Sequence, residues 1–142
     1  VALMFQQDNL FANMSIRKNL EYALDGPVDE EVQQMIDSLG LTALMQDKPS
    51  QLSGGEKQRA SLLRTLALNA DIILLDEPFS ALDDQSILKA MNLLAQQKEL
   101  GKTIVLVTHR KDVILKFADS VVVMDTKQSD QGQPQEMIKL EI

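Results

Sequence analysis

Two hydrophobic patterns take turns along the chain between residues 53 and 125. Stretches with apolar residues at helical spacing, about 53–69 and 85–99, each give way to a run that is apolar at every position. The first run is "IILL", closed by Asp76; the second is "TIVLVT", reached through Leu100 and Gly101. A shorter helical stretch over 111–117 leads into "SVVVMD". Strands without polar alternation, each preceded by a helix, predict a parallel sheet covered on both faces. Nearer the start, "VALMF" predicts another strand. Ser15 is placed to cap a helix over "IRKNLEYAL", which Asp25-Gly26-Pro27 ends. Val28, Val32, Met35, Ile36 and Leu39 then mark an amphipathic helix, with Asp29, Glu30 and Glu31 in its first turn and Gly40 as its stop. "LTALMQ" predicts a further helical turn or two before Pro49. At the far end "TKQSDQGQPQE" reads as a polar turn and "MIKLEI" alternates as a half-exposed strand does. No repeat or low-complexity segment interrupts this order.

Composition narrows the function classes. A chain of 142 residues is one domain's worth, and 44% hydrophobic with 25% charged residues is an ordinary globular balance. A formal charge of −7 argues against binding nucleic acid by its backbone, which needs a basic footprint. Without cysteine there is no disulfide, thiolate zinc site or thiol catalysis, which suits a reducing cytosol. No apolar run approaches the roughly 18–20 residues of a membrane span, and no signal peptide is visible, so a membrane link is expected only through a partner. The chain opens on Val1 inside a strand pattern, and the expectation is that the N-terminal portion of a larger domain is missing.

In a parallel sheet, ligands bind in the crevice beyond the strand C-termini, here marked by Asp76, Glu77, His109 and Asp125. Gly101-Lys102-Thr103 looks like the end of a G-x-x-x-x-G-K-[ST] phosphate loop, but Gln96 stands where its first glycine belongs, and the order strand–loop–helix is inverted. Gly101 is expected to leave the helix in a left-handed conformation, with Lys102 a solvated charge and Thr103 starting a strand. "IILLDEP" has two readings. Asp76 suits a hard cation and Glu77 a water-orienting base, yet acidic residues and proline also simply end strands. "QLSGGEKQRA" likewise contains an S-x-x-E capping box, Ser53 with Glu56, sufficient to start a helix. Gly54 and Gly55 weaken that helix by on the order of 1 kcal/mol each relative to alanine, but offer bare N–H groups to a phosphate. His109 is the single histidine, and a lone histidine after a strand is more often structural than catalytic.

"LSGGEKQR", "IILLDEP", "SALD" and "VTH", in this order and spacing, resemble the ATP-binding cassette family, the ATPase subunits of ABC transporters; "MFQQ" resembles that family's glutamine loop. The resemblance covers nearly the whole chain. It implies a partial P-loop NTPase-like α/β parallel sheet core, made by residues 70–142 with 1–6, and an α-helical signature subdomain over about 9–69. It implies ATP and Mg²⁺ as cofactors, with Asp76 and Gln6 toward the metal and Glu77 as the catalytic base. His109 and Gln6 join the catalytic set, with Gln7 a one-residue alternative to Gln6. Leu52, Ser53, Gly54, Gly55 and Glu56 match the signature motif that contacts an ATP held by the opposite subunit, and Asp83 the interface aspartate of the family's D-loop.

The implied partners are a second ATPase subunit, head to tail, and transmembrane permease subunits facing about Asn9 to Ser50. No direct nucleic-acid contact is expected, and the location is cytoplasmic, peripheral on the inner face of the membrane. The motif spelling favours a prokaryotic transporter of a small solute. The family's Walker A loop and adenine-stacking aromatic have no match in these 142 residues, so this chain alone is expected to bind ATP poorly and hydrolyse it negligibly. The alternatives are a non-transport cassette acting in translation or on DNA, and a non-catalytic scaffold. Coiled-coil chromosome-type cassettes are disfavoured by the short interval from Gln6 to Leu52, and excision-repair types by the lack of cysteine.

Overall fold

Capping side chains set the helix starts and glycines the main stops. In the computed structural model, which describes residues 1–6, 9–110, 117–124 and 137–141, Ser15 accepts from the Lys18 N–H to start helix α1 (Ile16–Leu24), and left-handed Asp25 ends it. Asp29 caps α2 (Glu30–Ser38), so Val28 lies before the helix rather than in it. Past α2, Gly40 takes φ 66°; its N–H reaches Asp37 and that of Leu41 reaches Ile36, the paired bonds of a Schellman stop. "LTALMQ" supplies one 3₁₀ turn, Thr42–Leu44, and Pro49–Gln51 makes another. Helix α3 (Gly54–Ala67) starts from Ser53, and α4 (Asp84–Glu99) from Asp83. Gly101 has φ 84° and ends α4 by the same Schellman pattern, as expected. Lys102 differs from expectation: its ammonium lies 2.5 Å from Oε1 of buried Gln97, so it is bound to the helix it follows instead of solvated. The helix expected over 111–117 and the turn expected over 126–136 fall outside the described residues, apart from Phe117, which lies in a turn.

The strands are β1 (Ala2–Met4), β2 (Ile72–Asp76), β3 (Thr103–Thr108), β4 (Ser120–Met124) and β5 (Met137–Glu141), in sheet order β1-β2-β3-β5-β4. The pairs β1–β2 and β2–β3 are parallel, placing Leu3 beside Leu74 and Leu74 beside Val105. The sheet is not parallel throughout: β5 lies between β3 and β4, antiparallel to both. An antiparallel neighbour needs only a turn, whereas a parallel one needs a crossover, and 12 residues separate β4 from β5.

One face of the sheet, carrying Ala2, Met4, Ile73, Leu75, Ile104 and Leu106, is buried with the inner faces of the four described helices. Among the described residues the opposite face is open. Leu3 and Ile72 are 43% and 40% exposed, and Leu3, Phe5, Leu74, Asp76, Val105 and Val107 line an open groove of about 440 Å³. No described element packs over it.

Candidate catalytic and signature site

Helix α3 begins as its capping box dictates. Ser53 Oγ accepts from the Glu56 N–H at 3.3 Å, while Glu56 Oε2 accepts from the Ser53 N–H at 2.7 Å and from its hydroxyl at 2.8 Å. The Ser53 backbone bond, then its hydroxyl, hold the Glu56 carboxyl below its ordinary range. The two glycines differ. A Cβ on Gly55 would stand 3.0 Å from the Ala81 carbonyl oxygen, whereas one on Gly54 would meet only the Ala81 Cβ at 3.8 Å. Gly55 therefore has a packing reason that the sequence did not reveal, and Gly54 has none.

The loop from Glu77 to Asp83 lies against this helix start. Asp83 accepts from the Ser86 N–H at 2.7 Å, which caps α4 and lowers the Asp83 carboxyl below its ordinary range. Arg59 Nη1 donates to Ser86 Oγ at 3.0 Å, and its charge lowers both Glu56 and Asp83 further. Ser53, Gly55, Glu56, Arg59, Asp83 and Ser86 thus share one polar cleft of about 330 Å³.

Asp76 and Glu77 lie at the end of β2, but they point to different surroundings. Asp76 follows the alternation of the strand onto the open face and lines the apolar groove. Glu77 has φ 46°, left-handed and costly for a residue with a side chain, and its N–H donates to Val107 O at 2.8 Å. Its Oε1 accepts from the His109 N–H at 3.0 Å and lies 2.8 Å from His109 Nδ1. The other oxygen, Oε2, is buried without a partner. His109 is 65% exposed and Glu77 only 13% at the side chain, so the pair presents imidazole outward over a nearly sunken carboxylate.

Glu77 Oε2 is buried, so the carboxylate placed for a hard divalent cation is Asp76 on the open face at the strand end; such a cation takes one or two carboxylates and completes its shell with water and phosphate. Among the described residues no group of three His, Cys, Asp or Glu forms a full metal cage.

Not every expected residue is brought to this place. Gln6 lines a separate cleft of about 300 Å³ with Gly54, Gln58, Ser80 and Ala81, not the groove at Asp76. Gln7 and Asp125 lie outside the described residues. Sequence reasoning also missed Gln58, which is 9% exposed and bonded to Glu77 O, Ser80 Oγ and Ala81 N. Its signal was a polar side chain on the inward row that continues through Leu62 and Leu66.

Parallel strands ending in carboxylates and a histidine, flanked by a glycine-started helix, place the chain among α/β cassettes of the P-loop NTPase kind. It belongs to the ABC transporter family, whose model matches residues 1–80, more than half of the chain. The methionine import ATP-binding protein MetN of Corynebacterium efficiens is 40% identical over 132 residues, 88% of this chain and 37% of that protein. MetN of Xanthomonas oryzae pv. oryzae is 39% identical, over 88% of this chain and 39% of its own length. The chain thus spans well under half the length of these relatives. Among solved structures, a dimeric post-hydrolysis state of the ATP-binding cassette MJ0796 bound to ADP and Pi is 36% identical, with a TM-score of 0.70 over 79% of this chain and 53% of that one. An ATP-binding subunit of an ABC transporter is similar in fold alone, at 23% identity and a TM-score of 0.76 over 86% and 53%.

Proposed function

We propose that these residues are the catalytic-carboxylate and signature part of an ATP-hydrolysing subunit that drives an ABC importer. The observation that carries this reading is the Glu77 carboxylate, held at one oxygen by His109 and left without a partner at the other, at the strand ends of a family member. Glu77 Oε2 takes a proton from water as the water oxygen attacks the outer phosphorus of ATP and the bond to the bridging oxygen breaks. His109 anchors Glu77 through its backbone N–H, and its exposed imidazole lies over the carboxylate, on the side where the outer phosphate would enter. Asp76 would hold Mg²⁺, which would supply charge neutralisation at the phosphates when bound, while Gln6, expected beside it, lines a separate cleft. Ser53, Gly54, Gly55 and Glu56 face an ATP held by a second subunit, with Asp83 at the junction. Most of the catalysis is positioning and electrostatics.

The named function of the MetN relatives supports import of a small solute, whose identity the permease partners read. Exposed Phe11 and Tyr22, packed edge to face at 5.0 Å with Arg64 over Phe11, support the segment from about Asn9 to Ser50 as the permease-facing part of the helical subdomain 9–69, distinct from the core of 70–142 with 1–6. No described helix is long and apolar enough to cross a membrane, so attachment to its inner face would run through those partners.

The test is Glu77→Gln in the complete cassette protein. Turnover is expected to fall by at least about a thousandfold while ATP-bound dimers persist. Near-normal hydrolysis would remove Glu77 as the base and the proposal with it.

A further inference from the structure

Gln58 sits one turn into α3 with its amide wholly committed to the loop after β2. Nε2 donates to the Glu77 carbonyl and to Ser80 Oγ, both at 2.9 Å, and Oε1 accepts from the Ala81 N–H at 2.7 Å. These partners span a segment with no helix or strand of its own, starting at the residue with the left-handed backbone. Such a conformation persists only where its surroundings over-determine it. At Glu77 they do: the N–H is bound to Val107 and the carbonyl to Gln58. The far end of the segment is pressed on Gly55, at the start of the same helix.

We propose that Gln58 is a positioning residue: it fixes the 77–81 loop so that the Glu77 carboxylate meets His109, and it ties that aim to the position of the signature turn. Gln58 lies about one turn from Gly54 in the same helix, and the Ala81 carbonyl packs on Gly55, so a phosphate that draws in the helix start would move the Glu77 backbone with it. In the head-to-tail arrangement that phosphate belongs to one nucleotide and Glu77 serves the other. Gln58 is thus a mechanical link between two nucleotide sites within one chain. The inference rests on the ATPase reading above.

Gln58→Leu keeps the side-chain bulk and removes all three bonds. In the complete cassette protein it is expected to lower kcat about ten- to hundredfold with ATP affinity within about twofold, the pattern of a misplaced catalytic group. A second readout does not need turnover. The His109 amide donates to Glu77 Oε1 and does not touch Gln58, so faster hydrogen exchange at that amide reports a displaced Glu77. Should Gln58→Leu not fold, Gln58→Glu takes its place, keeping an acceptor for Ala81 and losing both donors. A kcat within about twofold of the wild type, an unchanged His109 amide, or equal losses of kcat and ATP affinity would each overturn the inference. Turnover that survives Glu77→Gln would instead sink the ATPase reading alone, and the His109 amide would still decide the role of Gln58.

Discussion

Gly54 and Gly55 sit side by side under different constraints. Gly55 is held against the Ala81 carbonyl, where a methyl group would stand at 3.0 Å from backbone that Gln58 also fixes. Gly55→Ala is therefore expected to destabilise the chain by about 1–3 kcal/mol, the usual cost of overpacking. Gly54 has room, so Gly54→Ala should be neutral or stabilising by up to about 1 kcal/mol through helix propensity, and any loss of turnover there would be functional. Thermal or denaturant unfolding of the two variants checks this; equal effects would contradict it. The pair also shows what a sequence reveals at this scale. The capping box was legible because Ser53 and Glu56 act locally, three residues apart. Gly55, Gln58 and the left-handed Glu77 were not, because their partners lie 19 or more residues away, or across the sheet at Val107.

Among the elements, the helices were the most legible, since caps, apolar spacing and glycine stops all act within a few residues. The same caps make the starts of α3 and α4 acid-sensitive. Glu56 and Asp83 both bind backbone N–H groups as carboxylates, so their folded pKa values lie below the ordinary ones. A lowered folded value means the caps contribute fully above the ordinary carboxylate range, and that contribution is lost as pH falls through the lower, folded values. On acidification the Ser53 and Ser86 amide resonances should move toward unbonded positions before core amides such as that of Leu106 change. Simultaneous change at all amides would show that these caps do not govern the first acid step. The sheet was less legible. Alternation in "MIKLEI" signalled a half-exposed strand, but nothing in a strand's own sequence says that it will insert between β3 and β4. Nor does an all-apolar run say whether one face or two will be covered, as the open groove at Leu3, Leu74 and Val105 demonstrates.

For the whole molecule, Glu77 and His109 meet beyond the ends of β2 and β3, the loop after Glu77 lies against the start of α3, Asp76 lines the open groove and Gln6 a separate cleft. On the proposed reading these are two different half-sites: Glu77 with His109, and Ser53 with the glycines of α3. The central claim is that these halves serve different nucleotides, each completed by a second subunit turned head to tail. Complementation between two inactive variants of the complete cassette protein tests it most directly. Ser53→Arg blocks the signature and Glu77→Gln removes the base. Mixed in equal amounts, half the dimers would pair one with the other, and each would regain one intact site, restoring up to about a quarter of wild-type turnover. If Ser53 and Glu77 served the same nucleotide within one chain, no mixed dimer would hold an intact site. Recovery of ATP hydrolysis on mixing is the predicted result; a mixture that dimerises with ATP yet stays as inactive as its parts would contradict the account.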